Sequence, residues 1–361
     1  MHSRLGCAFW KEGVITIIIL HILLAIAVFG LLIFIHEFGH YLCARLCGVG
    51  IHEFSIGMGP AIFGWTSKKT GIRYGLRLLP VGGYVSMVGE DEESDREDAF
   101  GNKSVWKRIL IVTAGPIMNL LLGFFAMLIL VVSTAPLGGT TIVYPDDGTV
   151  HVSDAAGLDS EDVILKVENV RVHTANELTY EVIHQGDKPL DFTILRNGEK
   201  MVIEDVVFSS QEELGVTFGT CDFGVRAEKF TFLNVIKHTF FRSISTVKMI
   251  IDSFVDLLTG RYGVESVSGP VGITQAIGES TQYGFSSFLY LFVVITVNLG
   301  VFNLLPFPAL DGGSIIFALY ELITRRKVKS EIVGYASIIG FALLMILAVF
   351  VTAGDIAQLF K

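Results

Sequence analysis

Apolar residues are grouped along this chain in four long runs separated by more polar segments. The runs lack Asp, Glu, Lys and Arg and cover residues 14–35, 109–132, 285–305 and 333–352. A helix needs roughly 20 apolar residues to cross a bilayer core of about 30 Å, so the pattern predicts four transmembrane helices. The first run is too long for the apolar part of a signal peptide, and no small-residue cleavage site follows it. We therefore expect a retained helix that continues to residue 46.

Shorter patterns predict three further regions. Residues 72–89 alternate apolar and polar side chains around a Pro-Val-Gly-Gly turn, which is typical of a β-hairpin beside or dipping into the membrane. Residues 136–225 alternate short β-branched strands with turns and predict an inserted, β-rich domain. Residues 226–284 read as an interfacial amphipathic helix and a linker. The predicted fold class is a multi-span α-helical membrane protein, with membrane core in residues 1–135 and 285–361.

Basic residues predict the orientation of these spans. Lys and Arg are concentrated in the segment that joins spans one and two, and again in "TRRKVK", residues 324–329. Both loops lie on the same side in a four-span topology, and cytoplasmic loops are enriched in these residues. We therefore expect the β-hairpin on the cytosolic side and the β-rich domain outside the cell.

Composition agrees with a membrane protein and excludes some functions. The hydrophobic fraction is 51%, the charged fraction 17% and the mean hydropathy +0.59. Soluble domains carry roughly 25% charged residues. The formal charge of −9 and the lack of a basic tract exclude a nucleic-acid partner. The four cysteines form neither a disulfide framework nor a CxxC metal motif.

The candidate chemistry lies at the end of the first apolar run. His36, Glu37 and His40 fit the pattern H-E-x-x-H in "LLIFIHEFGHYLCARL". Residues i and i+4 share one face of a helix, so the two histidines can bind one Zn²⁺ while Glu37 activates water. Catalytic zinc usually has three protein ligands and one open position, so a third ligand is needed.

Asp311 is the candidate for that third ligand. It follows the third apolar run in "VNLGVFNLLPFPALDGGS". A carboxylate so near a membrane span is costly and is therefore usually functional. Its alternative role is to cap a helix that begins at Gly312. In the four-span topology Asp311 and the two histidines end their spans on the same side, which favours one shared site.

These residues resemble the site-2 protease family of intramembrane zinc metalloproteases, and most closely its bacterial, RseP-like branch with a PDZ domain. The family pattern N-x-x-P-x-P-x-x-D-G matches Asn303 through Gly312, and G-x-x-x-N matches Gly115 and Asn119. "LPVGGYV", residues 79–85, resembles the membrane-inserted β-loop of the family. The segment that begins "AAGLDSEDVILKV" resembles a PDZ domain. The chain has room for only one such domain, which puts gating by a tandem pair in doubt.

The resemblance implies an endopeptidase in the bacterial plasma (inner) membrane, with Zn²⁺ as cofactor and its active site towards the cytosol. Implied substrates are single-span proteins, such as anti-sigma factors already cut by an upstream site-1 protease, or remnant signal peptides. Lipid surrounds the core, and the PDZ-like domain would bind peptide chain ends.

Four further residues remain candidates with open roles. Asn119 and Asn303 can stabilise the oxyanion, hydrogen-bond between helices, or hold the substrate strand. Gly82 and Gly83 can admit a close backbone approach or simply form a turn. The non-enzymatic alternative is a PDZ-bearing membrane adaptor with a vestigial metal site.

Overall fold

A computed structural model of the chain describes residues 2–90, 94–146, 148, 151–213, 216–263 and 267–358. The remaining residues, some of them in the predicted β-rich domain, lie outside the described ones. The chain divides into two compact units, Met1–Gly123 with Ser268–Lys361, and Phe124–Val267. The elements follow in the order α1 (His2–Leu46), β1 (Ile51–Thr66), β2 (Arg73–Met87), α2 (Val105–Ser133), β3 (Leu137–Val143), α3 (Val152–Ala155), β4 (Val163–Val167), β5 (Val170–Arg171), α4 (Ala175–Gln185), β6 (Leu190–Arg196), β7 (Glu199–Val206), β8 (Ser209–Glu213), β9 (Val216–Thr220), β10 (Gly224–Glu228), α5 (Phe232–Thr259), α6 (Pro270–Gln282), α7 (Phe285–Asn303), α8 (Asp311–Thr324) and α9 (Ser330–Gln358).

Four of the described helices are long and apolar enough to cross a membrane. They are Thr16–Leu46 within α1, all of α2, all of α7, and Ser330–Ala357 within α9. The four predicted spans are confirmed at this level; α1, α2 and α9 continue beyond the predicted runs, whereas α7 ends two residues earlier, at Asn303. The H-E-x-x-H motif lies inside α1, because that helix continues without a break to Leu46.

The predicted hairpin is present, and the chain reverses direction more than once within it. One turn lies between Thr66 and Arg73, which pair with each other, and the Pro-Val-Gly-Gly segment lies inside β2. The partner strand β1 was missed, because only residues 72–89 carried a clear alternation. Residues 53–56 pair both with 73–76 and with 83–86, so the chain reverses direction between Leu76 and Gly83, a stretch that includes the Pro-Val-Gly-Gly segment; Gly82 there has a φ of +73°.

A five-residue exposed apolar group distinguishes the part of the hairpin near its turn. The side chains of Ile62, Phe63, Trp65, Leu76 and Leu78 are each about half exposed or more. Exposed apolar area of this extent marks an interaction surface on a protein. It fits the predicted contact of the hairpin with lipid.

The second unit contains the β-rich region. Its larger sheet has the order β10-β3-β4-β6-β7, with β5 paired to β4, and β8 pairs with β9 in a second sheet. The core includes Phe192, Ile164 and Leu178, all with no exposed area, and each such side chain contributes roughly 1.5–3 kcal/mol. The β-rich character is confirmed, whereas the likeness to a PDZ domain stays a prediction.

Residues 226–284, predicted as one amphipathic helix and a linker, contain two helices. α5 packs on α4 through polar contacts, in which Tyr180 donates to Asp252 at 2.9 Å and His184 lies 2.8 Å from Asp256. The predicted linker contains α6, which was missed. Its N-terminal amides at Gly269 and Gly272 donate to the buried Asp355 carboxylate of α9, at 3.1 and 2.8 Å.

Candidate metal centre and active site

The two histidines of the motif meet on one face of α1. His36 Nε2 lies 3.2 Å from His40 Nε2, and their side chains are 13% and 10% exposed. The i, i+4 spacing on an unbroken helix produces this arrangement. Two imidazole nitrogens so close together need a shared proton or a shared cation between them.

Asp311 completes this cluster, as the first residue of α8. Its Oδ2 lies 3.1 Å from His36 Nε2 and 3.4 Å from His40 Nε2. One ligand atom from each of the three residues lies within 4.8 Å of the others, and among the residues that the structure describes this is the group able to hold a metal ion. Burial raises the pKa of Asp311, but hydrogen bonds from the two histidines outweigh it and lower the pKa to about 2. The group is therefore a carboxylate, the form that binds cations.

The paired glycines after Asp311 explain how the carboxylate reaches the histidines. A Cβ on Gly312 would lie 1.9 Å from the carbonyl oxygen of Leu305, and one on Gly313 would lie 2.5 Å from that of Phe307. Only glycine admits the loop backbone so close to the first turn of α8. The Asp-Gly-Gly sequence thus folds the loop after α7 back onto α8. The predicted capping role is absent from this helix end, since its N-cap is Leu310.

Glu37 faces a cavity of about 470 Å³ next to the cluster. The cavity is lined by the three cluster residues, by Glu37, Glu90, Val112 and Ser314, and by Gly83 to Met87 of β2. A Cβ on Gly83 would lie 2.9 Å from Glu37 Cγ and 3.0 Å from the carbonyl oxygen of Ser55. Gly83 therefore lets the β2 backbone pass directly beside the glutamate.

The other predicted site residues lie at different places. Asn119 is fully buried on α2, and its carboxamide nitrogen lies 3.3 Å from His36 Nδ1. Asn303 is the last residue of α7. At Gly82 the neighbouring space is filled by the Met58 side chain, which a Cβ on Gly82 would contact. Among the described residues, none of these three lines the cavity.

Three contributions to the site were missed from the sequence. His40 Nδ1 lies 2.9 Å from the carbonyl oxygen of Ile111, a backbone contact that no side-chain pattern can reveal. Ser314 follows Asp311 at i+3, so helical spacing would have placed it on the same face. Glu90 lies three residues after the end of β2, in a turn that no strand pattern in the sequence placed at the cavity.

Four apolar helices, with two histidines, a glutamate and an aspartate gathered at one cavity, define a membrane metallopeptidase. The model of peptidase family M50 matches residues 24–347, and the chain belongs to this family, that of the site-2 proteases. It is a zinc-dependent metalloprotease and a multi-pass membrane protein.

Relatives of this chain are similar over almost their whole length. A protein of Clostridium acetobutylicum named as a zinc metalloprotease is 36% identical over 339 residues, which are 93% of this chain and 97% of the relative. One from Campylobacter jejuni is 33% identical over 93% of each chain. The zinc metalloprotease RasP of Shouchella clausii is 30% identical, over 93% of this chain and 98% of RasP.

Proposed function

We propose that the chain is an intramembrane endopeptidase that cleaves single-span membrane proteins, with His36, His40 and Asp311 as zinc ligands and Glu37 as general base. The observation that carries this proposal is the single cavity that joins the three ligand atoms, Glu37 and the edge of β2.

The donor set fits zinc. Two imidazole nitrogens and one carboxylate oxygen are typical ligands of catalytic Zn²⁺, which leaves one open position. When bound, Zn²⁺ supplies a Lewis acid that polarises the scissile carbonyl and makes water acidic near neutral pH. His36 and His40 each present Nε2 to Asp311, so all three ligand atoms converge on one point.

Glu37 moves the proton in this proposal. Its side chain lines the same cavity as the ligands, one residue from His36, so a water molecule held there lies within reach of its carboxylate. Glu37 takes the proton of the attacking water and passes it to the leaving amine, as general base and then general acid.

The β2 edge from Gly83 to Met87 holds the substrate. A transmembrane helix pairs its own amides inside lipid, so its backbone reaches a protease only after local unwinding. An extended segment can then add to the edge of β2 as a further strand. Gly83 brings that edge beside Glu37, which places the paired segment next to the base.

Several finer features belong to the same proposal. The active site faces the cytosol and the β-rich unit lies outside, as the basic loops indicate. Substrates are anti-sigma factors first cut by a site-1 protease, or remnant signal peptides. The β-rich unit binds chain ends in the manner of a PDZ domain. Family membership favours this enzyme over the adaptor with a vestigial metal site.

The decisive experiment uses three variants of the full chain in lipid nanodiscs with a model single-span substrate. We expect Glu37→Gln to bind zinc as the wild type does and to lose cleavage, because it removes only the base. Asp311→Asn should lose zinc as well as cleavage. His52→Ala, at an exposed histidine of β1, is the control and should change neither. Cleavage by Glu37→Gln, or full zinc content in Asp311→Asn, would disprove the assigned roles.

A further inference from the structure

The residues of α2 that face the two histidines form one stripe at four-residue spacing. The carbonyl oxygen of Ile111 is 2.9 Å from His40 Nδ1, and a Cβ on Gly115 would lie 2.2 Å from His40 Nε2. The Asn119 carboxamide is 3.3 Å from His36 Nδ1. Each histidine therefore has its Nδ1 next to a polar group of α2 and its Nε2 towards Asp311.

The proton on each imidazole decides whether Nε2 can bind a metal. A neutral imidazole carries one proton, and a nitrogen that binds a metal must be the unprotonated one. At His40 the Ile111 carbonyl can only accept, so Nδ1 donates and Nε2 is free. At His36 the partner is a carboxamide, which can either donate or accept.

The two orientations of Asn119 have opposite consequences for His36. With the amide nitrogen towards His36, Nδ1 must accept, and the proton lies on Nε2, the atom that faces Asp311. Asn119 Oδ1 is then buried without a hydrogen-bond partner among the described residues, and a half-turn would put Nδ2 at that position, so only the proton on His36 distinguishes the two orientations. Carboxamide oxygen and nitrogen are assigned from their partners. A half-turn places Oδ1 opposite Nδ1, which then donates and leaves Nε2 unprotonated.

We propose that Asn119 is a positioning residue, which accepts the Nδ1 proton of His36 and so holds Nε2 ready for the metal, and that it is not an oxyanion donor. This inference rests on the proposed zinc site. Asn119 is fully buried and none of it lines the cavity among the described residues, which places it behind the histidine, away from the reacting carbonyl. Partners of this kind orient ligand histidines throughout metalloproteins.

Two variants, Asn119→Asp and Asn119→Leu, separate a role in positioning His36 from a role as oxyanion donor. Their zinc affinity is measured by competition with a chelator. An aspartate still accepts the proton, so Asn119→Asp should keep its zinc affinity and most of its kcat. A leucine cannot accept, so Asn119→Leu should lose roughly 10- to 100-fold in zinc affinity. Thr113→Val, whose hydroxyl bonds within α2, is the matched control and should bind zinc normally.

Other roles of Asn119 predict different combinations of zinc affinity and kcat in these two variants. An oxyanion donor would give normal zinc affinity in Asn119→Leu, and in Asn119→Asp a collapse of kcat, because a carboxylate repels an oxyanion. Weak zinc binding in both variants would also overturn the inference, since it would show that hydrogen-bond acceptance is not what matters. Failure of the proposed function is distinct, because the wild type itself would then bind no zinc.

Discussion

The spans α2 and α9 have similar hydropathy but different surroundings. Within its most apolar stretch, α2 is 44% buried inside the protein, whereas α9 is only 11% buried. The buried span carries small and polar residues at its contacts, such as Gly115 and Asn119, while most large side chains of α9 are exposed. Inside a bilayer, helices associate through close packing and polar contacts, because apolar area gains nothing by leaving lipid. Small and polar residues therefore identify a central helix, and hydropathy does not.

The largest effect is expected when a methyl group is added to α2 at the point where this helix contacts His40. Gly115→Ala adds a Cβ that would lie 2.2 Å from His40 Nε2, so the ring must move. A displacement near 1 Å at a reacting group can cost roughly 100-fold in rate, and we expect a loss of this size in cleavage together with weak zinc binding. The control is Gly334→Ala in α9, where nothing lies within 4 Å of the added carbon. Equal effects of the two changes would contradict the distinction between the spans.

A smaller effect is expected at the polar end of α2. Arg108 pairs with Glu321 of α8 at 2.7 Å, with side chains 14% and 15% exposed. Arg108→Met leaves the carboxylate largely buried and alone, which should cost about 2 kcal/mol of stability, below the 3–5 kcal/mol of a fully buried pair. Thermal unfolding in detergent measures this loss. The double change with Glu321→Met should recover part of it, and no recovery would mean that the two charges act independently.

The smallest effect is expected at Asp355, a place where α9, like α2, carries a buried polar residue. Asp355 is buried and accepts two amide hydrogen bonds at the start of α6. Asp355→Ala leaves those amides without an acceptor and should cost about 1 kcal/mol, at the low end for buried groups left unpaired, seen as a lower Tm with zinc binding retained. The neighbouring Gly354→Ala has open space and should be neutral or slightly stabilising. A stable Asp355→Ala would show that this contact is replaced by water.

Much of the membrane core could be predicted, because apolar runs and helical spacing are local signals. The four spans and the i, i+4 pair His36 and His40 followed from such patterns. Asp311 could be named only as a candidate, since its approach depends on the tight loop before α8. The chain reversal around Pro-Val-Gly-Gly followed from a local turn signal, whereas the partner strand β1 was missed because it carries no clear alternation. The carbonyl of Ile111 had no side-chain signal at all.

The matched spacing of α1 and α2 makes the site sensitive to how the two helices are aligned along their length. Residues 36 and 40 on one helix meet 119 and 115 on the other, so the helices run antiparallel at this point. A slide of four residues, about 6 Å, would set Asn119 beside His40 and carry Gly115 past the motif. Intermediate positions would drive the His40 ring into α2. The alignment of α1 and α2 therefore acts on both histidines at once, because His36 and His40 each contact α2.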